Sequence, residues 1–354
     1  MKKIYAALLA LVMMIVFVGC GSSQTENNSS TPATSETEST ETSSKEPSLA
    51  LNPLTGEYTL AHEAVGKRPV AIMINNIKVS LPQRGVSQAD ICYEVLAEGG
   101  ITRILAIFPD LNKIPDTGSV RSARHYFISL SEAHNSIFVH FGGSPLALQT
   151  IKNRGIDSLN GLYLYPTGFY RDQNRVGKIP IEHTVFTDSE RLKAAISRKN
   201  VNTNGSTPVA YNFGDNSAVM ASGSAAANIT VPFSSYTKAT FTYNSELGVY
   251  QKGEFNAPQI DENTGATLAV TNVFVLETDI SKLQNSDTNS RIDVDLSSGS
   301  GYYACGGKII PINWKKGDFE DQLKYYTKDG KELTVKNGKS WVCIISKSNT
   351  VSYN

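Results

Sequence analysis

The chain has 354 residues, and its 33 Lys and Arg balance its 33 Asp and Glu, so the formal net charge at pH 7 is zero. This balance provides no strongly basic field, which argues against nucleic acid as a partner. Residues 49–354 are long enough to form two domains of ordinary size.

Residues 1–20 have the pattern of a lipoprotein signal peptide. Lys2 and Lys3 precede an uncharged run from Ile4 to Gly19, which ends at Cys20 between small residues. An uncleaved anchor is the alternative, but the run is too short to span a bilayer comfortably. We therefore predict a mature chain that starts at a lipid-modified Cys20 and is held on the extracytoplasmic face of the cell membrane.

Residues 21–48 have the composition of a disordered tether. They are mainly Ser, Thr, Glu and Asn, without aromatic or β-branched apolar residues, so they cannot bury enough surface to offset chain entropy. A coil of this length has an r.m.s. span of about 30 Å. Five Glu and one Lys make the tether acidic, and the chain after residue 48 carries a net charge of +2.

Residues 49–200 are predicted to form an α/β domain. Apolar runs predict strands at 68–76, 91–98, 101–108 and 136–141. Gly99 and Gly100 separate the second run from the third. Two glycines in such a position favour a tight hairpin, because both can adopt positive φ.

Three helices are predicted in the same domain. Apolar residues at helical spacing predict that the first begins at Gly118–Val120 and continues through Leu130. Ser144 and Pro145 suit the N-cap and first residue of a second helix, which Gly155 would end. Thr187–Glu190 has capping-box spacing ahead of a third helix over 191–199.

Residues 201–238 are rich in Asn, Ser, Gly and Ala and are predicted to be a junction between domains. Residues 239–354 are predicted to form a β-rich second domain, an antiparallel sheet or small barrel, in which Cys305 and Cys343 could pair. Its strand patterns occur at 239–244, 249–253, 268–277, 292–296, 302–310, 324–327, 332–336 and 341–346. Asp329–Gly330 and Asn337–Gly338 predict tight turns of a meander. The predicted class is α+β, with a mixed α/β N-terminal domain followed by a β-rich C-terminal domain.

Several short motifs occur together after residue 50. They are Asn52–Gly56, Arg68–Asn76, Gln88–Glu94, Glu98–Arg103, Gly118–Arg124, Asn272–Leu276, Trp314–Lys316 and Gly338–Trp341. In this combination the chain resembles the YerB-like envelope lipoproteins of Gram-positive bacteria. The resemblance implies two family-defining domains of unknown function behind a lipoprotein signal, and it implies no reaction. The chain has Ile181–Thr184 where that family shows Pro-His-Asn.

Arg121 and Arg124 are the first candidate ligand-binding residues. On the predicted helix they lie three residues apart in the first turn, where a positive charge opposes the helix macrodipole. Two guanidinium groups at a helix N-terminus could bind a carboxylate or phosphate. Alternatively, they pair with Asp90, Glu94 or Glu98 and hold the helix against the sheet.

Glu94 and Glu98 are candidate catalytic residues. Their spacing on the predicted strand places both on one face of the sheet, where two carboxylates can act as general acid and base. Their backbones would lie about 13 Å apart, farther than in a retaining glycosidase pair. Ion pairing, for example with Arg103 across the hairpin, is the alternative.

His140 and Ser144 flank the Gly142–Gly143 turn between a strand and a helix. The turn could offer amide donors to an anion, with Ser144 as a ligand-binding hydroxyl and His140 as a catalytic group. Ser144 as a nucleophile is less favoured, because no Gly-x-Ser-x-Gly motif is present and the N-cap position already explains it. The five histidines show no metal-binding spacing, so neither a metal nor another cofactor is predicted.

Aromatic residues and arginines are interleaved in one stretch of the first domain. They are Tyr163, Tyr165, Phe169, Tyr170, Arg171 and Arg175. Rings beside cations suit a sugar ring or an extended peptide, so Arg171 and Arg175 are further candidate ligand-binding residues. The same residues could simply hold a long loop on the domain. His183 is predicted to close over this region and is a further candidate catalytic residue.

Two functions are compatible with these features. The first is a non-catalytic lipoprotein that binds a cell-wall polymer or an envelope protein. The second is an envelope hydrolase or transferase acting on an anionic glycan or peptide, with Arg121, Arg124, Glu94 and His140 in one site. The second function requires these four side chains to converge on an open pocket.

Overall fold

The computed structural model describes residues 48–284 and 291–354. The predicted signal peptide, Cys20 and nearly all of the predicted tether therefore lie outside the described residues. No helix within these two ranges is long and apolar enough to cross a membrane.

Five α-helices lie in the described ranges. In chain order they are α1 (His125–Glu132), α2 (Pro145–Arg154), α3 (Gly161–Leu164), α4 (Ser189–Lys199) and α5 (Ser217–Met220). Short 3₁₀ turns lie at His62–Ala64, Lys78–Ser80, Val86–Gln88, Glu98–Gly100, Leu111–Lys113 and Ile181–His183.

Strands outnumber helices throughout the described chain. The strands of the first part are β1 (Ala50–Leu51), β2 (Tyr58–Leu60), β3 (Val70–Asn76), β4 (Ile91–Leu96), β5 (Thr102–Phe108), β6 (Thr117–Gly118), β7 (Ile137–His140), β8 (Ser158–Asn160), β9 (Tyr170–Arg171), β10 (Val185–Thr187) and β11 (Asn212–Phe213). Those of the second part are β12 (Ser224–Ala225), β13 (Asn228–Pro232), β14 (Lys238–Asn244), β15 (Val249–Glu254), β16 (Ala257–Pro258), β17 (Ala269–Val270), β18 (Asn272–Thr278), β19 (Ile280–Lys282), β20 (Ile292–Val294), β21 (Ser298–Cys305), β22 (Lys308–Lys315), β23 (Lys324–Thr327), β24 (Thr334–Val335), β25 (Ser340–Ser346) and β26 (Ser352–Tyr353).

One eleven-stranded sheet joins the two halves of the chain. Its order is β12-β22-β21-β18-β25-β4-β5-β3-β7-β8, with β23 beside β22. Strand β25, near the end of the chain, pairs in parallel with both β4 and β18. The pairings make β3, β4, β7, β8, β18 and β25 run in one direction. We call the side where these strands end the carboxyl edge, and the side where they begin the amino edge.

The main sheet is covered on both faces. One face packs against α4 and a six-stranded antiparallel sheet, ordered β16-β15-β14-β13-β26 with β17 beside β15. There the Phe241 ring lies edge-on to the Trp341 ring of β25. The other face packs against α1 and α2, which contribute Phe127 and Ala147. Burial on both faces explains why β3, β5 and β25 are nearly continuous apolar runs.

The α+β class predicted from the sequence is confirmed by this mixture of elements. The Gly99–Gly100 hairpin is present between β4 and β5, with φ of 67° and 77° at the two glycines. Ser144 caps α2 by accepting a hydrogen bond from Ala147 N, and Gly155 ends that helix at a φ of 65°.

The predicted start of the first helix is wrong. Helix α1 begins at His125, because the preceding residues are held in extended form by backbone hydrogen bonds. Val120 bridges to Ile74 of β3, and Ala123 bridges to Gly143. Arg121 therefore lies outside the helix, and Arg124 is its N-cap residue.

Three further local predictions are corrected by the structure. The run 302–310 is not one strand, since β21 and β22 meet at Gly306–Gly307, where both glycines have positive φ. Asn337–Gly338 leads into a strand that runs parallel to its neighbours, so it does not continue a meander. Asp188, rather than Thr187, caps α4 by accepting from Arg191 N.

The segment 201–238 contains β11, α5, β12 and β13. Strand β12 pairs with β22 at one end of the main sheet, and β13 belongs to the six-stranded sheet. This segment therefore contributes to both sheets as the chain passes from one to the other.

Candidate functional site

Three arginines and one glutamate come together at the carboxyl edge of the main sheet. These residues, which we name the arginine site, are Arg103, Arg121, Arg124 and Glu98. Glu98 lies in the turn after β4 and Arg103 near the start of β5, so the hairpin brings both to this edge. Arg121 N donates to Met73 O at 2.8 Å, which holds the extended segment before α1 against β3.

Glu98 is the carboxylate that pairs with two of these arginines, Arg124 and Arg103. The Arg124 guanidinium donates to both of its carboxylate oxygens, with Nη2 and Oε2 2.5 Å apart. Arg103 Nη2 lies 3.7 Å from Glu98 Oε2. Burial acts to raise the pKa of Glu98, but Arg124 and Arg103 outweigh it, and so this pKa is lowered. One carboxylate therefore serves two guanidinium groups.

Two guanidinium nitrogens of the site, Arg103 Nε and Arg121 Nε, are buried without a hydrogen-bond acceptor in the described structure. Arg103 is only 4% exposed, and its Nη1 donates to Ser122 O at 2.9 Å. Burial, reinforced by Arg124, lowers the pKa of Arg103 to about 9. Burial also lowers the pKa of Arg121. The site therefore combines adjacent positive charges with two guanidinium donors that the described residues leave unused.

His183 borders the arginine site through the Ile181–His183 turn. Its Nδ1 lies 2.7 Å from Asn75 Nδ2, and its Nε2 lies 3.9 Å from Glu182 Oε1. Burial and the charge of Arg121 lower the pKa of His183. The lowered pKa favours the neutral ring, and the nearby Glu182 side chain is 51% exposed.

Arg171 lies next to the arginine site. Its Nη1 donates to Ile181 O at 2.5 Å, while Arg121 Nη1 donates to the following carbonyl, Glu182 O, at 3.2 Å. The Arg171 guanidinium also lies 5.7 Å from the centroid of the Phe141 ring. The structure thus brings Arg121, Arg124 and Arg171 of the predicted ligand-binding set into one region.

Arg175 does not belong to this region. Its guanidinium donates to Ser80 O at 2.9 Å, to Pro82 O at 2.6 Å and to Glu262 Oε2 at 2.6 Å. It also lies 3.5 Å from Asp172 Oδ2. These contacts engage the whole guanidinium in holding the loop, so the predicted role of Arg175 in ligand binding is not supported.

His140 and Ser144 do not form the predicted catalytic or anion-binding turn. His140 is fully buried, its Nδ1 donates to Gly142 O at 2.7 Å, and burial lowers its pKa to about 4. Ser144 is 3% exposed and serves as the cap of α2. The amides of Gly142 and Ser144 already donate to Asn160 Oδ1 and Ala123 O. These two amide donors are therefore used within the fold.

Glu94 and Glu98 lie on opposite faces of the main sheet, contrary to the prediction. Glu94 faces the six-stranded sheet and is 0% exposed, whereas Glu98 reaches Arg124 beside α1. The alternation of side chains does not extend to Glu98, because β4 ends at Leu96 and the chain then turns. The four residues of the predicted hydrolase site therefore do not converge on one open pocket.

Glu94 belongs to a buried polar cluster that joins the two halves of the chain. Lys252 Nζ lies 3.3 Å from Glu94 Oε2 and also donates to Glu254. Trp341 Nε1 donates to Glu94 Oε2 at 3.0 Å, and Asn76 Nδ2 donates to Glu94 Oε1 at 2.9 Å. All five residues are 2% exposed or less. Two carboxylates thus share one ammonium group away from water.

Lys252 and Glu254 were not identified in the sequence, although a signal was available. They alternate with Tyr250 along β15, so all three project toward the core. Burial acts to lower the pKa of Lys252, but Glu254 and Glu94 outweigh it, and this pKa is raised. Burial and the charge of Glu94 raise the pKa of Glu254 to about 7.

Cys92, Cys305 and Cys343 are buried free thiols. Cys305 and Cys343 pack into the cores on opposite faces of the main sheet, which explains why they do not pair. Within the two described ranges, no cluster of three His, Cys, Asp or Glu side chains could hold a metal ion.

Two family models match the chain. They are "Protein of unknown function (DUF3048) N-terminal domain", over residues 54–202, and the DUF3048 C-terminal domain, over residues 229–342. The chain is 34% identical over 297 residues to a Bacillus subtilis (strain 168) protein named "Putative lipoprotein YerB", with 83% of this chain and 85% of that protein covered. It also matches the crystal structure of YerB protein from Bacillus subtilis with a TM-score of 0.75 at 30% identity, over 86% of this chain and 99% of that chain.

Replacing Lys252 by methionine should strongly destabilise the fold, because it leaves Glu94 and Glu254 buried without a counter-charge. We expect a loss of about 3–5 kcal/mol in the free energy of unfolding, measured by urea denaturation. Lys238→Met, on the exposed side of neighbouring β14, is the matched control and should change it by less than about 0.5 kcal/mol. Equal effects of the two variants would contradict a structural role for the buried cluster.

Replacing Glu254 by glutamine should change how stability depends on pH. The pKa of Glu254 is raised to about 7 in the folded chain, so the folded state binds more protons than the unfolded state between the ordinary value of 4.5 and 7. This residue therefore makes stability fall as pH rises through that window. Glu254→Gln should flatten the fall in urea-denaturation measurements, and an unchanged slope between pH 4.5 and 7 would rule out the titration of Glu254.

Proposed function

The chain belongs to the YerB-like DUF3048 family, and we propose that it is a membrane-anchored extracytoplasmic lipoprotein that binds an anionic cell-wall component without catalysing a reaction. The Bacillus subtilis relative is named a lipoprotein, and residues 1–20 of this chain have the matching signal pattern. The ligand would present a carboxylate or phosphate group.

The arginine site is the observation that carries this proposal. Glu98 binds Arg124 and lies near Arg103, while Arg121 donates to a backbone carbonyl instead of to a carboxylate. Guanidinium groups form strong, charge-assisted hydrogen bonds with carboxylate and phosphate oxygens. The two Nε donors without acceptors therefore support a ligand site more than a closed structural ion pair.

The position of the site suits a tethered protein. Asn52, close to the first described residue, donates to Asp90 Oδ2 at 2.7 Å at the amino edge. Glu98 follows the other end of β4, whose six residues span about 20 Å. The predicted tether would thus join at the amino edge, and the arginine site would face away from that attachment point.

Replacing Arg121 by alanine should weaken the binding of inorganic phosphate and of anionic cell-wall fragments. Loss of a charge-assisted hydrogen bond costs about 1.5–3 kcal/mol, which raises Kd roughly 10- to 150-fold. Isothermal titration calorimetry on residues 21–354 measures this change. The Tm should change little, because Arg121 is partly exposed and bonds one carbonyl in the described structure.

Arg198→Ala provides the control for loss of charge, since Arg198 lies on the exposed side of α4. This variant should bind like the unaltered chain, and binding should weaken as salt rises. The proposal fails if both variants lose affinity equally or if the unaltered chain binds none of these anions. If the unaltered chain turns over the wall fragments and Arg121→Ala abolishes that turnover, the enzyme alternative is favoured instead.

A further inference from the structure

A pocket of about 630 Å³ lies at the amino edge of the main sheet, whereas the arginine site lies at the opposite, carboxyl edge. We name it the amino-edge pocket. Its apolar lining includes Leu51, Leu60, Val65, Val209, Tyr211 and Phe213. A concave site of this volume with mostly apolar walls is typical of small-molecule binding.

The walls of the amino-edge pocket are held by the fold itself. Ala210 N donates to Pro53 O at 2.9 Å, which ties the two sides together. Tyr211 stacks on Phe274 of the core with ring centroids 5.3 Å apart. A Cβ atom on Gly56 would lie 2.6 Å from the Phe213 ring, so glycine allows that ring to complete the wall. The pocket is therefore largely formed before any ligand enters.

The rim of the pocket exposes aliphatic side chains that folding leaves uncovered. Leu51, Val65 and Val209 are 52%, 55% and 58% exposed. Single exposed aliphatic residues are common, but three around one concavity indicate a binding surface.

Lys67 is the one charged residue that lines the pocket in the described part of the chain. Its Nζ donates to the neutral amide oxygen of Asn204 at 2.6 Å. No carboxylate is among the described lining residues, so the ammonium charge at the mouth is not compensated there. Apolar walls beside one cation match an amphiphile with an apolar chain and an anionic head.

We propose that the amino-edge pocket binds a long-chain fatty acid, with the acyl chain against Leu60, Tyr211 and Phe213 and the carboxylate at Lys67. Burial of successive methylene groups supplies the affinity, and the ion pair orients the ligand. The described chain begins at residue 48, next to β1 at the rim. A tether of about 30 Å would keep the pocket close to a membrane that contains acyl chains.

Fluorescence titration with cis-parinaric acid tests this site on residues 21–354. We expect saturable enhancement with one site per chain. Val209→Arg, at an exposed rim position, should weaken binding of both the acid and its methyl ester at least tenfold. Lys67→Glu should weaken binding of the acid about tenfold and leave the ester unchanged, because the ester lacks the negative charge.

Lys78→Glu is the matched control, since it makes the same charge change at an exposed residue that does not line the pocket. It should bind both probes normally, and thermal unfolding should show that all three variants are folded. The fatty-acid site is overturned if the unaltered chain gives no saturable signal or if folded Val209→Arg binds the acid as well. If Lys67→Glu weakens the binding of acid and ester equally, the ligand carboxylate does not pair with Lys67, and that part of the proposal is wrong. Phosphate binding at the arginine site should not respond to Val209→Arg.

Discussion

A buried ion pair between Lys252 and Glu94 connects the two halves of the chain inside the core. Both side chains are 1% exposed or less, and such charges are costly to remove from water unless they are paired and hydrogen bonded. Glu94 lies on a strand of the first part of the chain and accepts from Asn76 there, while Lys252 of β15 and Trp341 of β25 reach it from the second part. The positive charge next to Glu94 thus comes from the other half of the chain. The N- and C-terminal family segments are therefore coupled through one core.

The continuous sheet also sets the positions of the two proposed sites. Strands that run in the same direction end at the same edge of the sheet. Side chains just beyond these strand ends are not packed between the layers and can contact a ligand. The hairpin after β4 and the extended segment before α1 bring the arginines to that edge. At the opposite edge, the first described residues and segment 206–213 enclose an apolar pocket. The two proposed sites are thus consequences of one topology, separated by the length of a strand.

Local features of this fold could be predicted, whereas its long-range pairing could not. The Gly99–Gly100 hairpin and the Ser144 cap each depend on a few consecutive residues, so their patterns were sufficient. The parallel pairing of β25 with β4 joins distant parts of the chain and leaves no periodic signal in either strand. The local pattern at Asn337–Gly338 therefore predicts a hairpin turn, although the strand that follows it pairs in parallel with both neighbours.

The candidate site was only partly predictable for the same reason. The sequence pattern predicts that Arg121 and Arg124 lie in the first turn of a helix, yet α1 begins at His125. Arg103 was considered only as a partner for a glutamate, since its burial beside two other arginines depends on tertiary packing. The alternation of Lys252 with Tyr250 did contain a usable signal, because a charged residue at a core-facing position requires a buried partner.

We propose that an anion binds at Arg103 and Arg121, whose Nε groups have no acceptor among the described residues. The most direct test is a ¹H–¹⁵N spectrum of the arginine Nε groups during titration with inorganic phosphate. We predict that the Nε signals of Arg103 and Arg121 shift together along one saturable curve, while that of Arg198 stays in place. Shifts limited to exposed arginines such as Arg198, or no saturable shift at Arg103 and Arg121, would contradict the claim.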